Sequence, residues 1–193
     1  QAKTALEPLN LLKELSMSSI LIIAAEASSV LYAQRVIEAF AEASLSSGEK
    51  VSFFGVGSCE MEALGFECLG RSEEMAVVGF GEILVHYSRI RKVYYQILEA
   101  CRTRKPKVAL LMDYPGFNLK LMKDLHAIGI KVVYYISPQI WAWKQNRVKI
   151  IRRYCDKMLV VFPFEVDFYR NHGIEVEFVG HPLLDEISPE NSM

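Results

Sequence analysis

Several familiar signatures are missing from this sequence, and each absence removes a class of function. In its 193 residues, 51% of them hydrophobic, no apolar run reaches the length of a membrane span, which needs about 18 residues or more. No G-x-G-x-x-G follows any strand-like stretch, which disfavours NAD and FAD. The four cysteines, Cys59, Cys68, Cys101 and Cys155, form no C-x-x-C pair and have no nearby histidine. They read as reduced structural thiols of a cytosolic protein, and the scattered His86, His126, His172 and His181 add no metal site. We expect no metal and no cofactor. The formal net charge is −1, with 23% charged residues, so nothing in the balance points to nucleic acid. There is no internal repeat and no low-complexity tract.

What is present is an alternation of short apolar runs and helical patterns. Strands are expected at 20–25, 51–54, 108–112, 130–136, 158–162 and 176–179, the second stopping at a tight Gly55-Val56-Gly57 turn. Helices are expected at 30–43, 59–64, 119–127 and 164–171, with a basic helix carrying Lys144, Arg147, Lys149, Arg152 and Arg153. Repeated strand-helix units imply an α/β fold with a doubly wound parallel sheet. Residues 1–16 have a helical leucine pattern (Leu6, Leu9, Leu12, Leu15) and read as an N-terminal extension before Met17. A secretory signal is disfavoured by the brevity of the apolar run and by Glu26. The domain proper is expected over 17–187, and 188–193 has linker composition.

The chain is organised around Val108–Asn118, an apolar strand that halts at Asp113 just before Tyr114-Pro115-Gly116. In open α/β sheets ligands bind at that carboxyl edge, so Asp113 is a candidate for proton chemistry. The other reading is a helix N-cap or turn residue ahead of the proline. Trp141 and Trp143 lie two apart in a loop at the same edge, suited either to stacking on sugar rings and lining acyl chains or to anchoring the loop. Met75–Leu98 reads as one helix with a stripe of Phe80, Ile83, Leu84, Tyr87, Ile90, Tyr94, Ile97 and Leu98. Val77, Val78, Val85, Val93 and Tyr95 lie off that stripe, and Arg89, Arg91 and Lys92 punctuate it. Such a surface suits an anionic lipid interface, a fully buried helix or a dimer contact.

Six motifs stand in order: AAEAS at 24–28, EEMAVVGF at 73–80, MDYPGFN at 112–118, ISPQIWAW at 136–143, FPFE at 162–165 and VGHP at 179–182. Jointly they resemble the N-terminal half of the lipid-A-disaccharide synthase family, inverting glycosyltransferases of the GT-B architecture. The resemblance implies a Rossmann-like acceptor-side domain. It also implies transfer of 2,3-diacylglucosamine from UDP-2,3-diacylglucosamine to 2,3-diacylglucosamine 1-phosphate, in lipid A biosynthesis at the cytosolic face of a Gram-negative inner membrane. Asp113 matches the family's essential acid. Glu26, Ser28, Asn118, Ser137, Trp141, Trp143 and His181 become candidates for substrate binding. Val77, Val78, Phe80, Ile83, Leu84, Arg89, Arg91 and Lys92 become candidates for peripheral membrane or acyl contact. The expected partners are the two substrates, the membrane surface, a C-terminal donor-binding domain absent from this chain, and a second copy in a homodimer. The isolated half is expected to be inactive. One departure stands out: the family's first loop reads Gly-Glu-x-Ser-Gly-Asp, and here Ala25, Ser29 and Val30 replace both glycines and the aspartate. Two rivals remain at this stage, a non-catalytic lipid-binding module and another GT-B enzyme such as a sugar epimerase.

Overall fold

A computed structural model describes residues 19–47, 51–75, 83–142 and 145–182. The expected extension, linker tail, Val77, Val78, Phe80, Trp143 and Lys144 lie outside the described residues, as do the side chains of Ile83 and Leu84.

Seven strands form one parallel sheet: β1 (Ser19–Ala24), β2 (Ser52–Gly57), β3 (Phe66–Arg71), β4 (Val108–Met112), β5 (Lys131–Tyr135), β6 (Lys157–Val160) and β7 (Val176–Phe178). Their spatial order is β3-β2-β1-β4-β5-β6-β7. The helices are α1 (Ala27–Ser47), α2 (Cys59–Ala63), α3 (Ser72–Met75), α4 (Ile83–Arg104), α5 (Pro115–Ala127), α6 (Val148–Tyr154) and α7 (Pro163–Asn171), with a 3-10 turn at Gln145–Arg147. This is the doubly wound architecture that the alternating pattern implied.

The unbroken apolar runs have a simple cause. Successive side chains of a strand point to opposite faces, and here both faces are covered. Leu21 and Ile23 of β1 join Ile97, Leu111, Leu125, Tyr134 and Tyr169 in one core layer. Ile20, Ile22 and Ala24 join Ala33, Ile37, Phe40, Leu110 and Met112 in the other. The strand order reverses between β1 and β4, so the loops that follow these two strands lead to opposite faces and leave a crevice between them.

Three readings of the sequence are corrected. Gly55 to Gly57 is not a turn, since β2 continues through Gly57. Gly55 has φ +140°, and a Cβ there would stand 2.1 Å from the Ile22 carbonyl oxygen, so glycine is what lets β1 and β2 close up where the β2–β3 register shifts. Phe66–Arg71 is a strand that sequence reading passed over. It lies at the sheet edge, half-exposed, with Glu67 bonded to Arg104, so its composition is mixed instead of apolar. In α4, Val93 belongs to the core and Tyr87 does not, being 64% exposed. Tyr87 has the azimuth of the stripe, but residues 87–89 are exposed and Ile90 is only partly covered.

Candidate functional site

Asp113 follows β4 directly and Glu26 follows β1 after one residue, so the crevice has one carboxylate on each lip. Asp113 is half-buried and, among the described residues, forms no ion pair. Burial pushes its carboxyl above the ordinary aspartate value, and a hydrogen bond from the Tyr114 backbone N–H opposes part of that rise. Glu26 is also raised, first by partial burial and then by the charge of Asp113. The negative charge of Asp113 thus makes Glu26 more reluctant to ionise.

The backbone holding Asp113 is unusual. Asp113 (φ 43°) and Tyr114 (φ 44°) are consecutive left-handed residues, and neither is glycine. Such a conformation costs of order 1–3 kcal/mol per residue and persists only where the surroundings impose it. Here they do. The Asn118 side-chain amide, fully buried, donates to the carbonyls of Met112 (3.0 Å) and Asp113 (2.7 Å). The phenol of Tyr134, also fully buried, donates to the same Asp113 carbonyl at 2.5 Å. Tyr114 is itself the N-cap of α5, without a side-chain cap, and its hydroxyl donates to the Met75 carbonyl at 3.0 Å. Asp113 is thus not the helix N-cap, one half of the competing reading; it lies in the bend between β4 and that cap.

The β1–α1 loop is closed without glycine. Ser29 Oγ accepts the Glu26 N–H at 2.9 Å and donates to the Glu26 carbonyl at 2.7 Å, and Ser29 is fully buried. The serine that stands where the resembling family has glycine therefore fastens the loop. Beside it lies a cleft of about 580 Å³ lined by Ala25, Glu26, Val30, Leu31, Ser58 and Glu73 among others. Ser28, in the first turn of α1, is exposed.

The remaining candidates divide. Asn118 and Ser137 do not face solvent. Asn118 holds the Asp113 loop, while the Ser137 hydroxyl, 5% exposed, meets the Tyr169 hydroxyl at 2.6 Å and donates to the Pro138 carbonyl. Both polar heads are buried and bonded to backbone carbonyls, which gives them a positioning role. Trp141 and His181 belong to an aromatic group beyond β6, with the Trp141 and Phe164 rings 5.0 Å apart and the Phe162 and His181 rings 5.5 Å apart. Phe162 and Phe164 stack with an interplanar angle of 15° and are 38% and 48% exposed. The buried Glu165 carboxylate accepts the backbone N–H groups of Val161 and Phe162 and so sets this turn. Arg89, Arg91 and Lys92 are exposed on α4. Tyr134 was overlooked in the sequence, although a phenol inside an otherwise apolar strand signals a buried hydrogen bond.

Among the described residues no group of three or more His, Cys, Asp or Glu is arranged to hold a metal ion. No described helix is long and apolar enough to cross a membrane.

Comparison with known proteins agrees with the motifs. A solved UDP-GlcNAc 2-epimerase from Methanocaldococcus jannaschii shares the fold, with a TM-score of 0.54 at 15% identity over 86% of this chain and 46% of that one. The lipid-A-disaccharide synthase of Koribacter versatilis is 46% identical over 167 residues, which are 86% of this chain and 43% of that protein. The corresponding protein of Geobacter metallireducens is 45% identical over 173 residues, covering 90% and 44%. The chain therefore spans less than half the length of these relatives. The family described as LpxB, lipid-A-disaccharide synthetase, matches residues 20–193, and with that span this chain belongs to the lipid-A-disaccharide synthetase family.

Proposed function

We propose that this chain is the acceptor-side half of a lipid-A-disaccharide synthase and that Asp113 is its general base. In the reaction, the 6-hydroxyl of 2,3-diacylglucosamine 1-phosphate attacks the anomeric carbon of UDP-2,3-diacylglucosamine. The hydroxyl proton passes to Asp113, and the bond from the anomeric carbon to the UDP oxygen breaks, its electron pair leaving with UDP. Attack opposite the leaving group inverts the anomeric centre. A positioned base of this kind contributes about 10²–10⁴-fold.

The observation that carries the reading is the state of Asp113: at the topological switch point, without a cation partner among the described residues, and raised by burial toward the range of a useful base. Glu26, across the crevice and itself raised by partial burial and by the Asp113 charge, can accept a hydrogen bond from the acceptor sugar. Ser28, Trp141, Trp143 and His181 complete the acceptor surface, and Asn118, Tyr134 and Ser137 hold its backbone. The membrane-facing part is assigned to Val77, Val78, Phe80, Ile83 and Leu84 with Arg89, Arg91 and Lys92. The protein then works peripherally at the cytosolic face of the inner membrane. The UDP-sugar pocket belongs to a donor-binding half outside this chain, so the 193 residues alone should form no disaccharide.

The test joins this chain to the donor half of a relative and assays transfer with both substrates. The wild-type fusion should be active, and Asp113→Asn should lower kcat by at least about 10²-fold with an unchanged circular dichroism spectrum. Near-normal turnover of Asp113→Asn would remove Asp113 from the base role.

A further inference from the structure

A second recess opens on the α4–α5 side of Asp113. It encloses about 440 Å³ and is lined by Tyr87, Ile90, Arg91, Tyr94, Tyr95, Tyr114, Gly116, Phe117 and Lys120. Its lining holds two cations and no carboxylate. The nearby Asp124 is engaged by the Tyr94 hydroxyl. Neither Arg91 nor Lys120 forms an ion pair among the described residues; each instead lies over an aromatic ring, Arg91 5.7 Å from the centre of Tyr95 and Lys120 4.7 Å from that of Tyr94.

The rings form a continuous floor. Tyr94 and Phe117 meet edge to face at 5.4 Å, and Tyr114 and Phe117 lie 5.9 Å apart. Tyr87 and Tyr95 are 64% and 53% exposed along its wall. A volume of this size is that of a small-molecule site, and an apolar floor under two cations matches a ligand with one hydrocarbon part and one anionic head. Tyr114 ties the recess to the crevice, because it lines the one and adjoins Asp113 in the other. Lys120 lies one helical turn, about 6 Å, beyond Gly116 on the same face of α5.

We propose that this recess binds the phosphorylated end of the acceptor glycolipid, the anomeric phosphate bridging Arg91 and Lys120 and an acyl chain lying across Tyr94, Tyr114 and Phe117. The proposal rests on the transferase reading above, and assigns the acceptor's phosphate to a place the reacting hydroxyl does not occupy. With the phosphate held on α4 and α5, the far side of the sugar is turned toward Asp113.

The test uses this chain and monomeric dodecyl phosphate below its micelle concentration, with dodecyl glucoside as the uncharged counterpart, both titrated calorimetrically. Wild type should bind the phosphate saturably at one site. Arg91→Ala combined with Lys120→Ala should weaken dodecyl phosphate at least tenfold while changing dodecyl glucoside less than twofold. Gly116→Leu should weaken both, since a Cβ at Gly116 meets nothing within 4 Å and a longer side chain can enter the recess without disturbing the backbone. Thermal melts of each variant verify folding. Absence of wild-type binding, wild-type affinity in the double variant, or loss of binding only to phosphatidylglycerol vesicles would overturn the proposal. In the active fusion the double variant should raise the acceptor KM about tenfold with kcat retained. A fusion that transfers nothing would count against the transferase reading, and the dodecyl phosphate titration would still judge the recess.

Discussion

The two buried hydrogen bonds that converge on the Asp113 carbonyl allow a quantitative prediction. Tyr134→Phe removes only the phenol oxygen, 2.5 Å from that carbonyl, and a typical net loss is about 0.5–1.5 kcal/mol. Asn118→Ala removes two bonds, to Met112 and Asp113, and leaves a small void at a fully buried position; about 2–4 kcal/mol follows. For a chain of this size each kcal/mol moves the melting temperature by about 2–4 °C. The expected shifts are therefore about 1–6 °C for Tyr134→Phe and about 4–16 °C for Asn118→Ala. After either single change the Asp113 carbonyl keeps one donor; after both it has neither. The double variant should then fall below the sum of the singles by about 0.5–3 kcal/mol. Urea melts of the four proteins at neutral pH measure this coupling directly. Additivity within about 0.5 kcal/mol would refute the claim that the shared carbonyl is what holds the left-handed pair in place.

Because burial raises the Asp113 carboxyl in the folded chain, the native state holds this proton more tightly than the unfolded one does. Stability from this group must therefore decline as pH rises from the unfolded value through the raised one. Asp113→Asn should melt higher than wild type at pH 7, with the gap closing in acid below the ordinary carboxylate range; a variant less stable at pH 7 would contradict the assignment. The same protonation makes the fusion's turnover fall on the acid side, with an apparent pKa above that of an ordinary aspartate, read from a pH–rate profile. Gly55→Ala places a Cβ against the Ile22 carbonyl at a φ that alanine avoids. It should cost about 1–3 kcal/mol from crowding and about 1–3 kcal/mol from strain, measured by urea denaturation. Glu165→Ala strips the acceptor from two backbone N–H groups and should cost about 2–4 kcal/mol, with Glu165→Gln restoring much of it.

By itself the sequence determined the alternation of buried strands and covering helices, and hence the doubly wound class, because a strand buried on both faces must be apolar at every position. It also located Asp113, since an acid that ends such a run has to emerge at the carboxyl edge. Edge strand β3 escaped because exposure relieves it of the apolar requirement, leaving Phe66, Leu69 and Gly70 among Glu67, Cys68 and Arg71. Only the tertiary structure placed Glu26 opposite Asp113. That meeting depends on β1 and β4 being neighbours, and strand order is set by long-range packing that no local pattern records. For the same reason Asn118, polar and close to Asp113 in sequence, looked like a ligand contact. Three-dimensional closure turned its amide inward, where the left-handed backbone at Asp113 and Tyr114 needed a donor more than the crevice did.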